Sequence, residues 1–148
     1  MATAPTVSQT AQQAPPEVSK KAPAEVRFIS QADRVCQRLD LLLDAEALKP
    51  KTASIQEIVK FAGIRADIEE RTVTKLRRLK VPQSLAEPWR KLLSLRAELA
   101  HELREYGHAA AAADKSALGG LAKEKARVHK ELGAVGGVAG FKVCSAVR

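Results

Sequence analysis

The sequence predicts an all-α protein, a four-helix bundle whose successive helices run up, down, up and down. Apolar residues recur at intervals of three and four along four segments, which is typical of helices that bury one face. No segment alternates between apolar and polar residues as a half-buried strand does. Short connections join the four segments, which favours packing of consecutive helices against each other. With 148 residues, the chain has room for one domain, or for one domain and a tail.

Residues 1–26 are expected to form a disordered Ala/Pro-rich tail, and residues 27–148 a helical bundle domain. Four of the seven prolines lie in the first segment, which shows no apolar periodicity. Such a composition buries too little apolar surface to offset the entropy lost on ordering. The segment also lacks the apolar stretch of a signal peptide. It is either a spacer between an anchor and the domain, or a disordered terminus without a role.

The first two helices are predicted from their apolar residues and from the signals at their ends. Helix one extends from about Phe28 to Leu48. Helix two begins at Ser54, which forms a capping box with Glu57, and stops before Pro82. The apolar stripes are formed by Phe28, Ala32, Val35, Leu39 and Leu42 in helix one, and by Ile58, Phe61, Ile68, Leu76 and Leu79 in helix two.

Helix three is expected to begin with a second capping box, formed by Ser84 and Glu87. It ends at Gly107 or continues through the alanine run at 109–113. Several of its apolar residues lie seven apart, which suits nearly antiparallel packing in a bundle. The stripe consists of Leu85, Trp89, Leu92, Leu95, Leu99, Leu103 and Tyr106.

Helix four is predicted from Asp114 to Leu132 or Val135. Gly119 and Gly120 lie within it and indicate either a close approach of two backbones or a break. The glycine-rich segment at 133–140 predicts a flexible run after the helix. We expect the final segment to be held against helix one.

The chain has two cysteines, Cys36 and Cys144, which are 108 residues apart. In an up-down bundle the chain finishes near its start, so a disulfide between them would hold the C-terminal segment. The alternative is a pair of free thiols, since unpaired cysteines are often buried. Because the two residues lie at opposite ends of the ordered region, we favour the disulfide, which would place the domain outside the cytoplasm.

Three short motifs resemble small secreted or lipid-anchored helical-bundle proteins of actinobacteria, a family of unknown function. The first is FISQADRVC at residues 28–36, similar to the opening "F-I-x-x-A-D-x-I-C" of that group. The second joins LKVP at residues 79–82 with Trp89 and Leu92-Leu93, and the third is GFKVC at residues 140–144. In this group the bundle follows a membrane anchor or lipobox and a low-complexity spacer. The resemblance implies an envelope location and a bundle fold, and no particular chemistry.

The net charge of +8 is concentrated in one part of the chain. From Arg71 to Arg96 there are eight basic residues and one acid, Glu87. They flank the turn between helices two and three, so they are either a solvated helix end or a binding patch for an anion or partner. The proposed patch comprises Arg71, Lys75, Arg77, Arg78, Lys80, Arg90 and Lys91.

Several titratable residues remain as candidates outside this patch. Arg96 lies close to the apolar stripe of helix three and is expected to pair with an acid on a neighbouring helix, Asp40 or Asp44. Helix three also carries two Glu-x-x-His pairs, a spacing known from di-iron bundles. Both pairs lie on one helix, opposite its apolar stripe, so we expect them to face water and to hold no metal. The pairs are Glu98 with His101 and Glu105 with His108.

We expect no enzymatic activity and no cofactor. The sequence contains no phosphate-binding loop, dinucleotide fingerprint, nucleophile elbow or zinc-finger spacing. His129 is expected to be an ordinary structural or solvated histidine. Cys36 lies on the flank of the apolar stripe, which argues against a nucleophile. No stretch approaches the roughly 18 apolar residues of a membrane span, so we expect no transmembrane segment.

The function that these features favour is a non-catalytic extracytoplasmic binding or scaffold domain of the cell envelope. Its basic end would contact an anionic envelope component or an acidic protein. The alternative is a cytoplasmic helical module that binds nucleic acid or an acidic protein. Trp89 lies on an apolar stripe, which argues against stacking on bases and therefore against nucleic acid. A third possibility is a bundle that holds a small apolar ligand, which the sequence does not distinguish from a plain core.

Overall fold

The computed structural model describes residues 21–45 and 54–146 of the chain. Over these ranges the protein is all-α, as predicted, with no strand. α3 packs closely against both α2 and α4, and α1 packs more lightly against α2. None of the helices in the described ranges has the length and the apolar composition needed to cross a membrane. The four helices are α1 (Pro23–Ala45), α2 (Ile55–Arg77), α3 (Ala86–Ala111) and α4 (Lys115–Ala139), and a short 3-10 turn (Gln83–Leu85) precedes α3.

α1 begins earlier than the sequence predicts. It starts at Pro23, inside the segment assigned to the disordered tail, so the boundary at residue 26 is wrong. Proline suits the first turn of a helix because its fixed φ is helical and its missing N–H would have no partner there. The Ala22 amide donates to the Glu25 carboxylate, and Lys21 donates to the Ala139 carbonyl at the end of α4. The rest of the proposed tail, residues 1–20, and the predicted end of helix one at Leu48 lie outside the described residues.

The two predicted capping boxes have different outcomes. The Ser54 hydroxyl accepts a hydrogen bond from the Glu57 amide at 3.3 Å and caps α2 as predicted. The prediction for Ser84 is wrong, because this residue lies within the 3-10 turn and α3 begins after Leu85 with no side-chain cap. The short turn after Pro82 takes the place of the cap.

α3 agrees with the longer of its two predicted alternatives, and α4 extends past both of the ends predicted for it. α3 continues past Gly107, where an added Cβ would lie 3.4 Å from the Ala62 Cβ of α2. α4 begins directly after Asp114, where the sequence predicts its start, and the Asp114 carboxylate caps it by accepting from the Ala117 amide at 3.0 Å. The predicted flexible run at 133–140 is wrong, because α4 is continuous to Ala139 and ends where Gly140 adopts a φ of +91°.

The core is centred on α3 and closed at one end by three aromatic rings. The Phe28 ring stands edge-on to Trp89, with centroids 4.8 Å apart, and Phe141 lies 5.4 Å from Trp89. All three side chains are buried, and each comes from a different part of the chain. Of the predicted stripe of helix three, only Tyr106 is exposed, at 37%. The aromatic cluster joins α1, α3 and the C-terminal segment into one core.

The C-terminal segment 141–146 folds back over α1. The Asp33 carboxylate accepts hydrogen bonds from the backbone amides of Lys142, Val143 and Cys144, at 3.0 to 3.1 Å. The predicted disulfide between Cys36 and Cys144 is confirmed, with 5.2 Å between the Cα atoms. A carboxylate that accepts several amides satisfies backbone groups that no helix or strand pairs. The segment is therefore held covalently and by hydrogen bonds, as the predicted attachment to helix one requires.

Arg96 forms a buried ion pair beneath this segment. Its side chain is 2% exposed, and its Nη1 lies 3.1 and 3.3 Å from the two carboxylate oxygens of Glu69. Its Nε donates to the Cys144 carbonyl at 3.0 Å, and Nη2 to the Ala146 carbonyl at 3.3 Å. The expectation of a buried pairing is correct, but the partner is Glu69 of α2 rather than Asp40 or Asp44. α2 packs more closely on α3 than α1 does, which brings Glu69 within reach.

Candidate functional site

The seven residues of the proposed basic patch are all exposed. They lie along the last turns of α2, in the connection after it and at the start of α3. Arg96, the eighth basic residue of that span, is buried and belongs to the core instead. Among the described residues, the only patch member that pairs with an acid is Arg90, whose Nη1 lies 3.1 Å from Glu87. The remaining six cations have no acidic partner within the described ranges.

The patch wraps around the bundle end instead of forming one face. Lys75 borders a groove between α1 and α2. Arg77 borders a depression between α2 and α3, together with Glu70 and Arg104. At 100° per residue, Arg77 points about 160° away from Lys75 around α2, whereas Arg71 and Arg78 lie within about 60° of Lys75. By helical angle, Arg71, Lys75 and Arg78 therefore lie on one side of the end of α2, and Arg77 lies on another.

The groove between α1 and α2 contains basic residues that the sequence analysis did not single out. It has a volume of about 920 Å³, and Arg27, Arg34 and Arg38 of α1 line it opposite Lys75. No acid lines the groove within the described part of the chain. The signal was available, because positions 27, 34 and 38 recur at intervals of seven and four and so share one helix face. We call this surface the basic groove.

Apolar side chains lie among the cations of the basic groove. Val26 is 52% exposed, Leu41 61% and Leu42 46%. Exposed aliphatic side chains beside arginines are common in surfaces that bind partners with both charged and apolar groups. Arg34 also donates to the Ser30 carbonyl at 3.4 Å, which keeps it along the helix. The groove can therefore attract an anion and also contact an apolar group next to it.

The Glu-x-x-His pairs of α3 lie on its outer side. His101, His108 and Glu105 are exposed or half-buried, and His108 lies 3.5 Å from Glu105. Glu98 joins a carboxylate cluster with Glu102 of α3 and Glu124 of α4, whose oxygens lie within 4.8 Å of one another. Arg127 donates to both Glu98 and Glu124, and to Glu131. The cluster is an ion-pair network organised by an arginine, and we assign no metal to it. The cluster was missed because Glu124 belongs to another helix, and spacing along the sequence does not bring it to Glu98 and Glu102.

A group of buried charged residues lies at the centre of the bundle. Arg65 of α2 is 8% exposed, and burial lowers its pKa against the opposing effect of Glu69. Burial raises the pKa of Glu69, while the guanidinium groups of Arg96 and Arg65 oppose that shift. His129 of α4 is half-buried, and burial together with Lys125, Arg65 and Arg96 lowers its pKa. In each of these groups, burial between the packed helices is the main cause of the pKa shift.

Cys36, which the sequence analysis considered as a nucleophile, is part of the disulfide. Cys36 is fully buried and bonded to Cys144, so it has no thiolate to offer a substrate. The strongest candidate for a functional surface is therefore the exposed basic groove, together with the basic end of the bundle. Comparison with protein families, with curated proteins and with solved structures finds no match to this chain.

Proposed function

We propose that this protein is a non-catalytic, extracytoplasmic binding domain of the cell envelope. Its basic surface contacts an anionic envelope component, of which an anionic lipid surface is the form we test. The proposal keeps the resemblance to secreted or lipid-anchored actinobacterial bundles as its working context. The disulfide supports the compartment, and the charge and exposure of one surface support the binding role.

The compartment is supported by the cysteines. The chain has two cysteines, and they are bonded to each other. Disulfides persist in oxidising compartments and are rare in the cytoplasm, where thiols are kept reduced. The bond holds the last segment of the core, so it is structural and not a transient redox pair. A domain that relies on such a bond suits the envelope better than the cytoplasm.

The observation that carries the binding proposal is the basic groove. Three arginines of α1 and Lys75 of α2 line one groove without an acid among the described residues. Val26, Leu41 and Leu42 are exposed beside them. Basic residues near an anionic bilayer each contribute about 1 kcal/mol of attraction, and neighbouring aliphatic side chains enter the interface. An acidic polymer would satisfy the cations but not these apolar side chains.

The alternative function, nucleic-acid binding, gains no support from Trp89. Trp89 is 4% exposed and packs between Phe28 and Phe141, so it is not available to stack on a base. What is left is non-specific attraction between basic side chains and phosphates. No further observation favours this alternative.

The test is co-sedimentation with vesicles of phosphatidylglycerol and, in parallel, of phosphatidylcholine. We expect binding to the anionic vesicles that weakens as salt is raised. A variant with Arg34→Glu, Arg38→Glu and Lys75→Glu should lose this binding, because each lost basic residue is expected to cost about fivefold in affinity, the equivalent of about 1 kcal/mol. The oxidised, full-length protein is used throughout.

The matched control reverses three exposed lysines of α4, by Lys115→Glu, Lys123→Glu and Lys130→Glu, and so changes the net charge equally. This control should retain more binding than the groove variant. A further variant, Arg77→Glu with Arg78→Glu, measures the contribution of the bundle end. If the groove variant and the α4 control lose vesicle binding equally, net charge alone determines binding, and the groove is not the binding site. If only polyglutamate binds, with the same order of variants, the partner is an acidic protein.

A further inference from the structure

A second concave site lies in the opposite part of the bundle, between α2 and α4. It is a cavity of about 390 Å³, near the lower end of the 300 to 1,000 Å³ that is common for ligand pockets. α3 forms its floor, where Leu99 and Leu103 are buried. α2 and α4 each pack on α3 and at most weakly on each other, which leaves a cleft between them. No residue of the basic groove lines this cavity, so the inference does not depend on the proposed function.

The cavity has an apolar end and a charged end. α2 and α4 both run antiparallel to α3, so their residues change level in the same direction. Ile58 of α2 and Leu121 of α4 lie toward the N-terminal ends of their helices, and Phe61 lies beside them in the lining. Arg65 lies seven residues after Ile58, about 10 Å along the helix at 1.5 Å per residue. Lys125 lies four residues after Leu121, so both cations lie at the same end.

The charged end has one carboxyl group and two cations. Glu102 of α3 is 8% exposed, and its Oε2 has no hydrogen-bond partner. Burial, together with Glu98 and Glu124, raises the pKa of Glu102. Burial and the nearby Arg65 lower the pKa of Lys125, so an additional anion at this point would stabilise its charged form. A buried carboxyl oxygen without a partner is uncommon and often marks a site that a ligand or water completes.

We propose that this cavity binds a medium-chain aliphatic carboxylate. The carboxylate of the ligand lies at the charged end, between Arg65 and Lys125, and accepts hydrogen bonds from them. When it is protonated, the Glu102 carboxyl group, whose Oε2 has no hydrogen-bond partner, donates to the same carboxylate. The aliphatic chain lies along the apolar end, where its burial provides most of the affinity. Among the residues that line the cavity, the two cations outnumber the one carboxyl group, which selects against a ligand of the same length with a cationic head.

The experiment is titration of the oxidised protein with decanoate, below its micelle concentration, by isothermal calorimetry. Decyltrimethylammonium, which has the same chain and the opposite charge, is titrated in parallel. Lys125→Gln should weaken decanoate binding about tenfold, as loss of one charge-assisted hydrogen bond predicts. Lys123→Gln, which removes an exposed lysine of the same helix outside the lining, should leave binding within about twofold, as expected of a surface charge.

A second pair of variants tests the apolar end. Leu121→Trp places a large ring at the cavity rim and should abolish binding, whereas Leu118→Trp changes a half-buried leucine of the same helix outside the lining and should not. Circular dichroism melting curves verify that both variants fold. Decanoate and decyltrimethylammonium binding equally would overturn the proposal, and so would equal effects of the two lysine variants. Absence of any heat with decanoate, together with unchanged backbone amide NMR shifts of the lining residues, would also overturn it.

Discussion

The two halves of the bundle differ in how the cleft between α2 and α4 is covered. In the half that contains the start of α3 and the end of α4, α1 and the segment 141–146 cover the cleft. In the other half, where α3 ends and α4 begins, the described residues leave a cavity of about 390 Å³ between α2 and α4. We call these the covered half and the open half.

The covered half shows how α1 becomes part of the core although it packs only lightly on α2. α1 packs only lightly on α2, yet its residues Phe28, Ala32 and Cys36 are buried in the core. The C-terminal segment makes this possible because it fills the space between α1 and the rest of the bundle. The disulfide and the Asp33 carboxylate attach that segment to α1, and the Arg96 side chain attaches it to α3. The open half has no such segment among the described residues, and the Glu102 Oε2 there has no hydrogen-bond partner.

The largest expected effect is from removing the central charge of the covered half. Arg96→Met should lower the free energy of unfolding by about 3–5 kcal/mol, because it leaves Glu69 buried without its partner and frees two tail carbonyls. Urea denaturation at constant pH measures the change.

The control for Arg96 is Arg104→Met, which removes an arginine that joins α3 to Asp67 and Glu70 at the surface. Its side chain is 37% exposed, so a loss below about 1 kcal/mol is expected. The double variant Glu69→Leu with Arg96→Met should recover part of the stability, since the buried carboxylate is removed together with its arginine, although Arg65 loses the favourable effect of Glu69. Equal losses for Arg96 and Arg104 would contradict the comparison.

The disulfide should rank second. Replacing both cysteines by serine is expected to lower the free energy of unfolding by about 2–4 kcal/mol, because the bond closes a long loop in the unfolded chain. Urea denaturation of wild type with and without reductant should give a difference of similar size. Intact mass under non-reducing conditions gives the oxidation state, since the bonded protein is lighter by two hydrogen atoms and resists alkylation. Complete alkylation of protein from an oxidising compartment would contradict the bond.

The carboxylate of α1 should have a smaller effect. Asp33→Asn removes the charge that accepts three backbone amides, and one side-chain oxygen is replaced by a donor. A loss of about 1–3 kcal/mol is expected for a group that hydrogen-bonds backbone amides as an anion. Hydrogen exchange at the amides of residues 142–144 should become faster. Asp67→Asn, at an exposed acid of α2, is the control, and an unchanged exchange rate in Asp33→Asn would show that the carboxylate does not hold the segment.

The smallest effect concerns the boundary between the halves and depends on pH. Burial and the nearby cations Lys125, Arg65 and Arg96 lower the pKa of His129 in the folded state. The unfolded chain then binds a proton more readily, so stability should fall as the pH drops below about 6.5, the ordinary value for histidine. Relative to His129→Gln, the wild type should lose stability between neutral and mildly acidic pH. Parallel stability curves for the two proteins would contradict this.

The sequence predicted the features that depend on neighbours along the chain. Ser54 caps α2 as predicted, by accepting from an amide three residues ahead, and α4 begins directly after the predicted Asp114. The stripe of helix three is buried from Leu85 to Leu103, because a spacing of three and four residues places side chains on one face wherever the helix packs. Ser84 failed because a short 3-10 turn, which the sequence pattern does not reveal, takes the position of its helix start.

The candidate site was predicted less completely. The basic residues of α2 were found by counting charge, but Arg27, Arg34 and Arg38 were not, because α1 also carries acids and its local charge is balanced. Their common face became important once α1 lay beside Lys75. Glu69 was not noticed as a partner, since it is 27 residues from Arg96 and has no distinctive neighbours.

By itself, therefore, the sequence determined the four helices, the faces they bury, the pairing available to two cysteines and the concentration of positive charge. These follow from hydrophobic periodicity, end signals and composition, all of which act within one or two turns or on the chain as a whole. The tertiary structure decided which acid meets Arg96, where the C-terminal segment lies and which half of the cleft stays open. Those outcomes depend on how closely α2, α3 and α4 approach, and that distance is set by the packing of whole helix faces against one another.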